Sequence, residues 1–311
     1  MIFSRLENLK SEILLAHAIG KSREFILAHP EYKPSFWKRV KFKYYCRLRE
    51  RGWPIAYITG HKEFYGLDFL VNKNVLIPRP ETELMVEEVV RRIENRELRI
   101  EKTILIDVGT GSGCMPIAVA RSLPLASRAR SAPKGETKRG SIKLIATDIS
   151  RAALRVAKKN AKKHGVKIKF LHGNLLEPVI HNSQFSIQYS SLIITANLPY
   201  LTAEQYGKEP SIQKEPRGAL VADAINGLSL YEELLSQLSL RTERSGAKQS
   251  LAITDGIASA ASGLAMTILL EIDPRQSEAI KTLIKKYLPA SSCEIKTDLA
   301  GRDRLVIISI K

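Results

Sequence analysis

The run from Leu105 to Ala120, LIDVGTGSGCMPIAVA, constrains the fold of this chain more than any other stretch. Ile104, Leu105, Ile106 and Val108 make a short, nearly all-apolar segment of β-type residues, the pattern of a strand covered on both faces of a parallel sheet. The turn that follows carries Gly109, Gly111 and Gly113 at alternate positions. Glycine there allows positive φ and lets a ligand approach the backbone without meeting a Cβ. Ser112 is placed to cap a helix that begins at about Gly113. A ligand is therefore expected at this turn.

Nucleotide folds, methyltransferases and purely structural turns all use GxGxG, so the surroundings must decide. GTGSG runs straight into Cys114, which excludes both the GK[ST] phosphate loop and the GxGxxG dinucleotide fingerprint. Further on, Ile142 to Thr147 predicts a second apolar strand ending in Asp148, an acidic side chain placed to accept from both hydroxyls of a ribose. The pair favours an adenosine-containing ligand without a pyrophosphate and points to S-adenosylmethionine.

With 311 residues the chain suits one large or two medium domains, and 44% hydrophobic residues can build a sizeable core. Lys and Arg exceed Asp and Glu by 49 to 32, a formal charge of +17. That balance fits a polyanionic partner such as RNA or a ribonucleoprotein, and equally a solvated basic surface. Cys46, Cys114 and Cys293 are odd in number and far apart, without a CxxC pair or a zinc-like spacing, which predicts a reduced compartment and no metal site. Charge at Arg5 and Glu7 excludes a signal peptide, and the apolar stretch from Gly256 to Leu270 is short for a membrane span. The expectation is a soluble cytoplasmic protein with no membrane association.

Leu6, Leu9, Ile13 and Ala16 fall at helical spacing, and Phe36 to Arg51 predicts a second helical stretch with a strongly basic face. Gly52 and Pro54 end this helical region. Ile55 to Ile77 then alternates in β fashion, with Tyr57 and Ile58 before a Gly60 turn, Phe64 to Val71 around Gly66, and Val75 to Ile77 after a turn at Asn72 to Asn74. Pro78 to Glu83 leads into a helix through Leu84, Val86, Val89, Val90 and Ile93.

Downstream of the glycine turn, Pro124 to Ser141 lacks any apolar period and reads as a disordered or mobile basic loop. Ser150 caps a helix that His164 and Gly165 close. Further strands are expected over Ile168 to His172, Ser191 to Ala196, Met266 to Ile272 and Leu305 to Ile310, with helices over Leu228 to Leu240 and Arg275 to Tyr287; Arg241 to Gly263 has no clear pattern. This alternation predicts an open parallel sheet with helices on both faces, whose ligands bind at the carboxyl ends of the strands. Asp107 to Gly113, Asp148, Asn174 and Asn197 to Tyr200 all fall at such ends.

Asn197-Leu198-Pro199-Tyr200 suits a planar nitrogen that bears two hydrogens. The Asn197 side-chain oxygen and the Leu198 carbonyl can each accept one of them, Pro199 stiffens the turn, and the Tyr200 ring can pack on the planar group. Delocalisation makes an amide nitrogen a poor nucleophile. Two fixed acceptors can orient it and favour the charge that develops as it attacks a sulfonium methyl, so neither a Cys nucleophile nor a metal is required.

These residues carry a resemblance. Over most of its length the chain resembles the release factor glutamine methyltransferases, the PrmC/HemK family. The matching stretches are Pro54-Ile-Ala-Tyr-Ile-Thr-Gly60 with Glu63-Phe64, Asn74-Val-Leu-Ile-Pro-Arg-Pro-Glu-Thr-Glu83, Asp107-Val-Gly-Thr-Gly-Ser-Gly113, Asn197-Leu-Pro-Tyr200, Glu215-Pro216 with Ala219-Leu220, and Leu299-Ala-Gly-Arg-Asp-Arg304. The resemblance implies an α/β fold: a Rossmann-like class I methyltransferase domain over residues 73–311, and a small helical N-terminal domain with a β-hairpin linker over residues 1–72 that binds substrate. It implies methyl transfer from S-adenosylmethionine to the side-chain amide of the glutamine in the GGQ motif of class-1 peptide chain release factors.

By the same resemblance, Asp107, Gly109, Thr110, Gly111 and Gly113 surround the methionine half of the cofactor, Asp148 holds the ribose and Asn174 the adenine. Asn197, which also borders the cofactor, and the Leu198 carbonyl hold the glutamine amide, with Pro199 and Tyr200 completing the catalytic turn. Thr82 and Glu83 fall near the cofactor pocket. The chain departs from the family at Leu198, where the family has proline, and at Asn174, where it commonly has aspartate. Asn-Leu-Pro-Tyr also resembles the motif of rRNA adenine dimethyltransferases. An N6-adenine methyltransferase acting on RNA or DNA is therefore the alternative, and a non-catalytic RNA- or ribosome-binding factor a third reading.

Overall fold

A computed structural model describes residues 11–95, 103–123, 142–180, 191–222, 226–239 and 265–310. The stretches 124–141 and 241–263, with Leu6 and Leu9, lie outside the described residues.

The N-terminal region is helical as expected, in shorter pieces. Helices α1 (Ser11–Ile19), α2 (Arg23–Ala28), α3 (Phe36–Glu50) and α4 (Ile55–Thr59) bury Leu14, Leu15, Ile19, Ile26 and Phe42 among themselves. The Ser22 side chain caps α2 by accepting from the Phe25 N–H at 3.2 Å. The segment holding Tyr57 and Ile58, predicted as strand, is α4. Pro54 precedes it with the fixed φ that a helix start wants, and Gly60 ends it at φ 79°, so the short apolar run closes one helical turn.

Strands β1 (His61–Phe64) and β2 (Leu67–Leu70) pair antiparallel as the expected hairpin. Val75 to Ile77 pairs with nothing as a strand; it runs as an irregular segment whose Val75 and Ile77 side chains are buried. Helix α5 (Glu83–Glu94) packs Met85, Val86, Val89 and Ile93 onto Phe64 and Phe69 of the hairpin. On its far side, Glu88 is ion-paired with Arg91, Arg92 and Lys296.

Strands β3 (Thr103–Val108), β4 (Lys143–Asp148), β5 (Lys169–His172), β6 (Ser191–Ala196), β7 (Ala265–Glu271), β8 (Ser292–Thr297) and β9 (Asp303–Ile310) form, among the described residues, one seven-stranded sheet. Its order is β5-β4-β3-β6-β7-β9-β8. The first five are parallel, but β9 pairs antiparallel with β7, and β8 antiparallel with β9. The expected all-parallel sheet is therefore corrected at this edge. Strand β8, SCEIKT, is mostly exposed and carries no apolar run, so nothing in its sequence announced it.

Helices α6 (Cys114–Ser122), α7 (Arg151–His164), α8 (Glu177–Ile180), α9 (Ala203–Lys208), α10 (Ser229–Leu238) and α11 (Ser277–Tyr287) complete the chain. Alternate residues of β3 serve opposite cores: Ile104, Ile106 and Val108 pack with α10 and α11, while Leu105 packs with α5 and α6. That two-sided burial explains the uninterrupted apolar run. Ser150 caps α7, accepting from the Ala153 N–H at 3.1 Å, and Gly165 ends it at φ 67°. Among the described residues no helix is long and apolar enough to cross a membrane.

Candidate active site

Strand order reverses between β4 and β6, on either side of β3, and a cavity of ≈ 590 Å³ opens at the carboxyl ends of these strands. Its wall includes Asp107, Gly109, Thr110 and Gly111 after β3, Asp148 at the end of β4, and Asn174 after β5. Asn197, Leu198 and Pro199 after β6 close it. Of the predicted site residues, all of them among those described, Gly113 and Tyr200 lie off this wall.

The glycine turn adopts positive φ at all three glycines, 71° at Gly109, 54° at Gly111 and 78° at Gly113. Each position has its own reason. A Cβ on Gly109 would press on Leu198 at 3.1 Å, and one on Gly113 on Ala157 at 3.2 Å; at Gly111 it would meet only the Gly109 carbonyl oxygen at 4.0 Å, which leaves room for a ligand against the backbone. Ser112 does not cap α6. Gly113 takes the N-cap position without a side-chain bond, and Ser112 instead gives its carbonyl to the Asn160 amide at 2.9 Å.

Asp148 accepts from the Gly111 N–H at 2.9 Å through one oxygen and from the Ser150 N–H at 2.8 Å through the other. Each carboxylate oxygen keeps a further lone pair for a ribose hydroxyl. Asp107 is buried and accepts from the Thr195 hydroxyl at 2.9 Å. Burial pushes its carboxyl up to about 7, against the hydrogen bond from Thr195. A cavity lined by two acids, Asp107 and Asp148, and by apolar Leu175, Leu198 and Ala153 could hold an adenosyl group with a cationic tail.

The Asn197 amide is locked from behind. Its Nδ2 donates to Thr82 Oγ1 at 3.0 Å, and Thr82 Oγ1 donates to Glu271 Oε2 at 2.6 Å. Glu271 closes β7 fully buried, and burial pushes its carboxyl up to about 7 against the Thr82 bond. Since the amide nitrogen faces Thr82, the Asn197 oxygen is the atom left for a substrate. The Leu198 N–H donates to the Tyr231 hydroxyl at 3.2 Å, and that hydroxyl donates to the Glu271 carbonyl. The Leu198 carbonyl lies 3.5 Å from the same hydroxyl, whose hydrogen goes to the Glu271 carbonyl, and so keeps acceptor capacity beside Asn197.

Tyr200 packs against the core of the sheet, and Gln276 Nε2 donates to its carbonyl at 3.0 Å. Gly227 lies directly behind: a Cβ there would come within 2.1 Å of that carbonyl oxygen, so only glycine allows the approach. Thr82, expected near the pocket, lines it; Glu83 instead turns to the hairpin, accepting from the Tyr65 N–H at 2.8 Å. Tyr65 is held at φ 51°, a conformation that this bond secures.

Sequence analysis missed several contributors. Val75, Pro78 and Arg79 line the cavity from one side and Pro216, Ala219 and Val221 from another. Glu215 ties the two together, accepting from Arg79 at 2.6 Å and from the Ile77 N–H at 3.1 Å. Its signal was present, since an acid beside Pro216 and a lone Arg79 between prolines both sit in matching stretches. Tyr231 and Glu271 had a weaker one, a polar group inside an apolar periodic run that must find a partner once buried.

Relatives of the chain are found over most of its length. A family model described as the PrmC N-terminal domain matches residues 4–60. The release factor glutamine methyltransferase of Bacillus anthracis is 31% identical over 302 residues, covering 96% of this chain and 92% of its own. That of Bacillus subtilis (strain 168) is also 31% identical over 302 residues, with 96% and 90% covered. That of Enterococcus faecalis (strain ATCC 700802 / V583) reaches 35% over 257 residues, covering 82% and 75%.

Proposed function

This chain belongs to the release factor glutamine methyltransferase family, and we propose that it methylates the side-chain amide nitrogen of the glutamine in the GGQ motif of a class-1 peptide chain release factor. The methyl donor of this reading is S-adenosylmethionine, which supplies an electrophilic methyl on a sulfonium. Asp148 would hold its ribose, Asn174 its adenine, and the turn from Asp107 through Gly111 its methionine half.

The observation that carries the reading is the locked amide of Asn197. With the Leu198 carbonyl next to it in the chain, its oxygen would give two acceptors for the two hydrogens of a primary amide. Held this way, the substrate nitrogen has both N–H bonds committed and its face turned to the methyl. The acceptors would also favour the positive charge that grows on nitrogen as its bond to the methyl forms and the sulfonium C–S bond breaks. The nitrogen then gives up one proton to solvent. Pro199 keeps the turn rigid where Leu198 replaces the family's proline. The Leu198 side chain packs onto Gly109 and joins the substrate turn to the cofactor turn.

The helical domain and hairpin over residues 1–72 would present the release factor. Helix α3 supports this, because Phe36, Trp37, Val40 and Tyr44 are exposed on it among lysines and arginines. Its basic surface leaves room for RNA or ribosome proximity as well.

The test is transfer of labelled methyl to a purified release factor, to its GGA variant and to total RNA. Label on the first alone is expected; label on RNA would turn the assignment to adenine. Asn197→Ala should lower transfer by on the order of a hundredfold or more while cofactor binding persists, and undiminished transfer would remove Asn197 from this role.

A further inference from the structure

Helix α10 grips the loop after β5 at two points. Asn174 Nδ2 donates to Glu233 Oε1 at 2.6 Å, and one helical turn on, Gln237 Oε1 accepts from the Leu176 N–H at 3.0 Å. Between them Leu175 holds φ 44°, a left-handed conformation that a branched side chain resists, and it packs its side chain into the core. Asn174 lines the cavity, whereas Glu233 stands behind it, off the wall.

A carboxylate has no hydrogen to give, so it can face only the nitrogen of the Asn174 amide. The amide oxygen must then be the atom that Asn174 offers elsewhere. We propose that Glu233 is a positioning residue for cofactor recognition: by taking the Asn174 nitrogen it fixes the amide with its oxygen toward the cavity, as an acceptor for the exocyclic amino group of a purine. This rests on the assignment of Asn174 to the adenine. Where a lone aspartate would accept by itself, this chain divides the task, with Asn174 making the contact and Glu233 supplying the carboxylate that sets its direction. Without Glu233 the amide can turn over, and its NH₂ group would accommodate a purine bearing a carbonyl at that position equally well.

The experiment is calorimetric binding of S-adenosylhomocysteine and of its inosine counterpart, in which an oxygen replaces the amino group. Wild-type protein should prefer the adenine form by on the order of tenfold or more, because the inosine oxygen would meet another acceptor. Glu233→Ala should bring the two affinities close together. Glu233→Gln, which can still accept but can also donate, should fall between them. The ratio of affinities reports recognition independently of the fraction of folded protein, and a purely structural role for Glu233 would lower both affinities alike. An unchanged preference in Glu233→Ala overturns the proposal. Failure of wild-type protein to bind either ligand overturns instead the cofactor assignment beneath it.

Discussion

Asn160 completes the backbone of Leu70 as a neighbouring strand would: its Oδ1 accepts from the Leu70 N–H at 2.8 Å and its Nδ2 donates to the Leu70 carbonyl at 2.9 Å. The same Nδ2 reaches the Ser112 carbonyl at 2.9 Å, so one fully buried amide on α7 joins the hairpin to the glycine turn. Asn160→Ala leaves three backbone groups, one buried and two part-buried, short of a partner. A loss of about 2–5 kcal/mol is expected in urea unfolding, since each orphaned group costs about 1–3 kcal/mol and the three are not additive. Binding of S-adenosylhomocysteine should weaken in step. A variant as stable as wild type would mean that water replaces the amide.

Thr82 stands between Asn197 and Glu271, accepting from one and donating to the other. Thr82→Val keeps the shape and removes the hydroxyl. It loosens the hold on the Asn197 amide and removes the Thr82 hydrogen bond from the Glu271 carboxyl. The turnover rate should fall by roughly 10–100-fold with little change in S-adenosylhomocysteine affinity, because the loss is in orienting the substrate nitrogen. Thr82→Ser should restore most of the rate. Equal rates for the valine and serine variants would show that Asn197 is oriented by something else.

The parts of the site that were legible in the sequence are those where one residue type answers one local demand. Gly109 and Gly111 meet a backbone requirement, Asp148 ends an apolar run, and Asn197 to Pro199 forms a self-contained turn. The pairings between distant residues were not legible. Glu215 meets Arg79 across 136 positions, and Thr82 meets Glu271 across 189, pairings that only the folded sheet makes. Tyr57 and Ile58 were misassigned for a different reason: a run of five residues is too short for its period to separate helix from strand, and the flanking Pro54 and Gly60 decided it. Strand β8 escaped because an exposed edge strand needs no apolar face.

Glu88 is buried on α5 with Arg92 at 2.6 Å, Lys296 at 2.7 Å and Arg91 at 2.8 Å. Burial alone would raise its carboxyl; hydrogen bonds from the three cations hold it down at about 2, below the 4.5 of the free side chain. The depressed value fixes the sign. Stability from this cluster is complete above the unfolded value, and it is lost as pH falls through 4.5 toward 2. Glu88→Gln should cost roughly 2–3 kcal/mol at neutral pH and flatten the acid limb of stability measured in urea. An acid limb identical to that of wild type would assign the dependence to other carboxylates.

Asp107 predicts a pH dependence of the same sign, but in binding and near neutral pH. Burial pushes its carboxyl up to about 7, with Asp148 nearby adding to the rise, so near neutral pH the empty cavity holds a substantial fraction of the protonated acid. A cationic sulfonium or ammonium in the cavity favours the ionised form and lowers the value. Binding then expels a proton, and affinity must rise as pH rises toward 7 and level off above it, because above 7 the proton has already gone. Titration calorimetry in buffers of different ionisation enthalpy should record fractional proton release with S-adenosylmethionine near neutral pH. Asp107→Asn should bind more weakly and remove most of the pH dependence. If the variant kept the wild-type pH profile, the titrating group would instead be Glu271, the other buried acid raised to about 7.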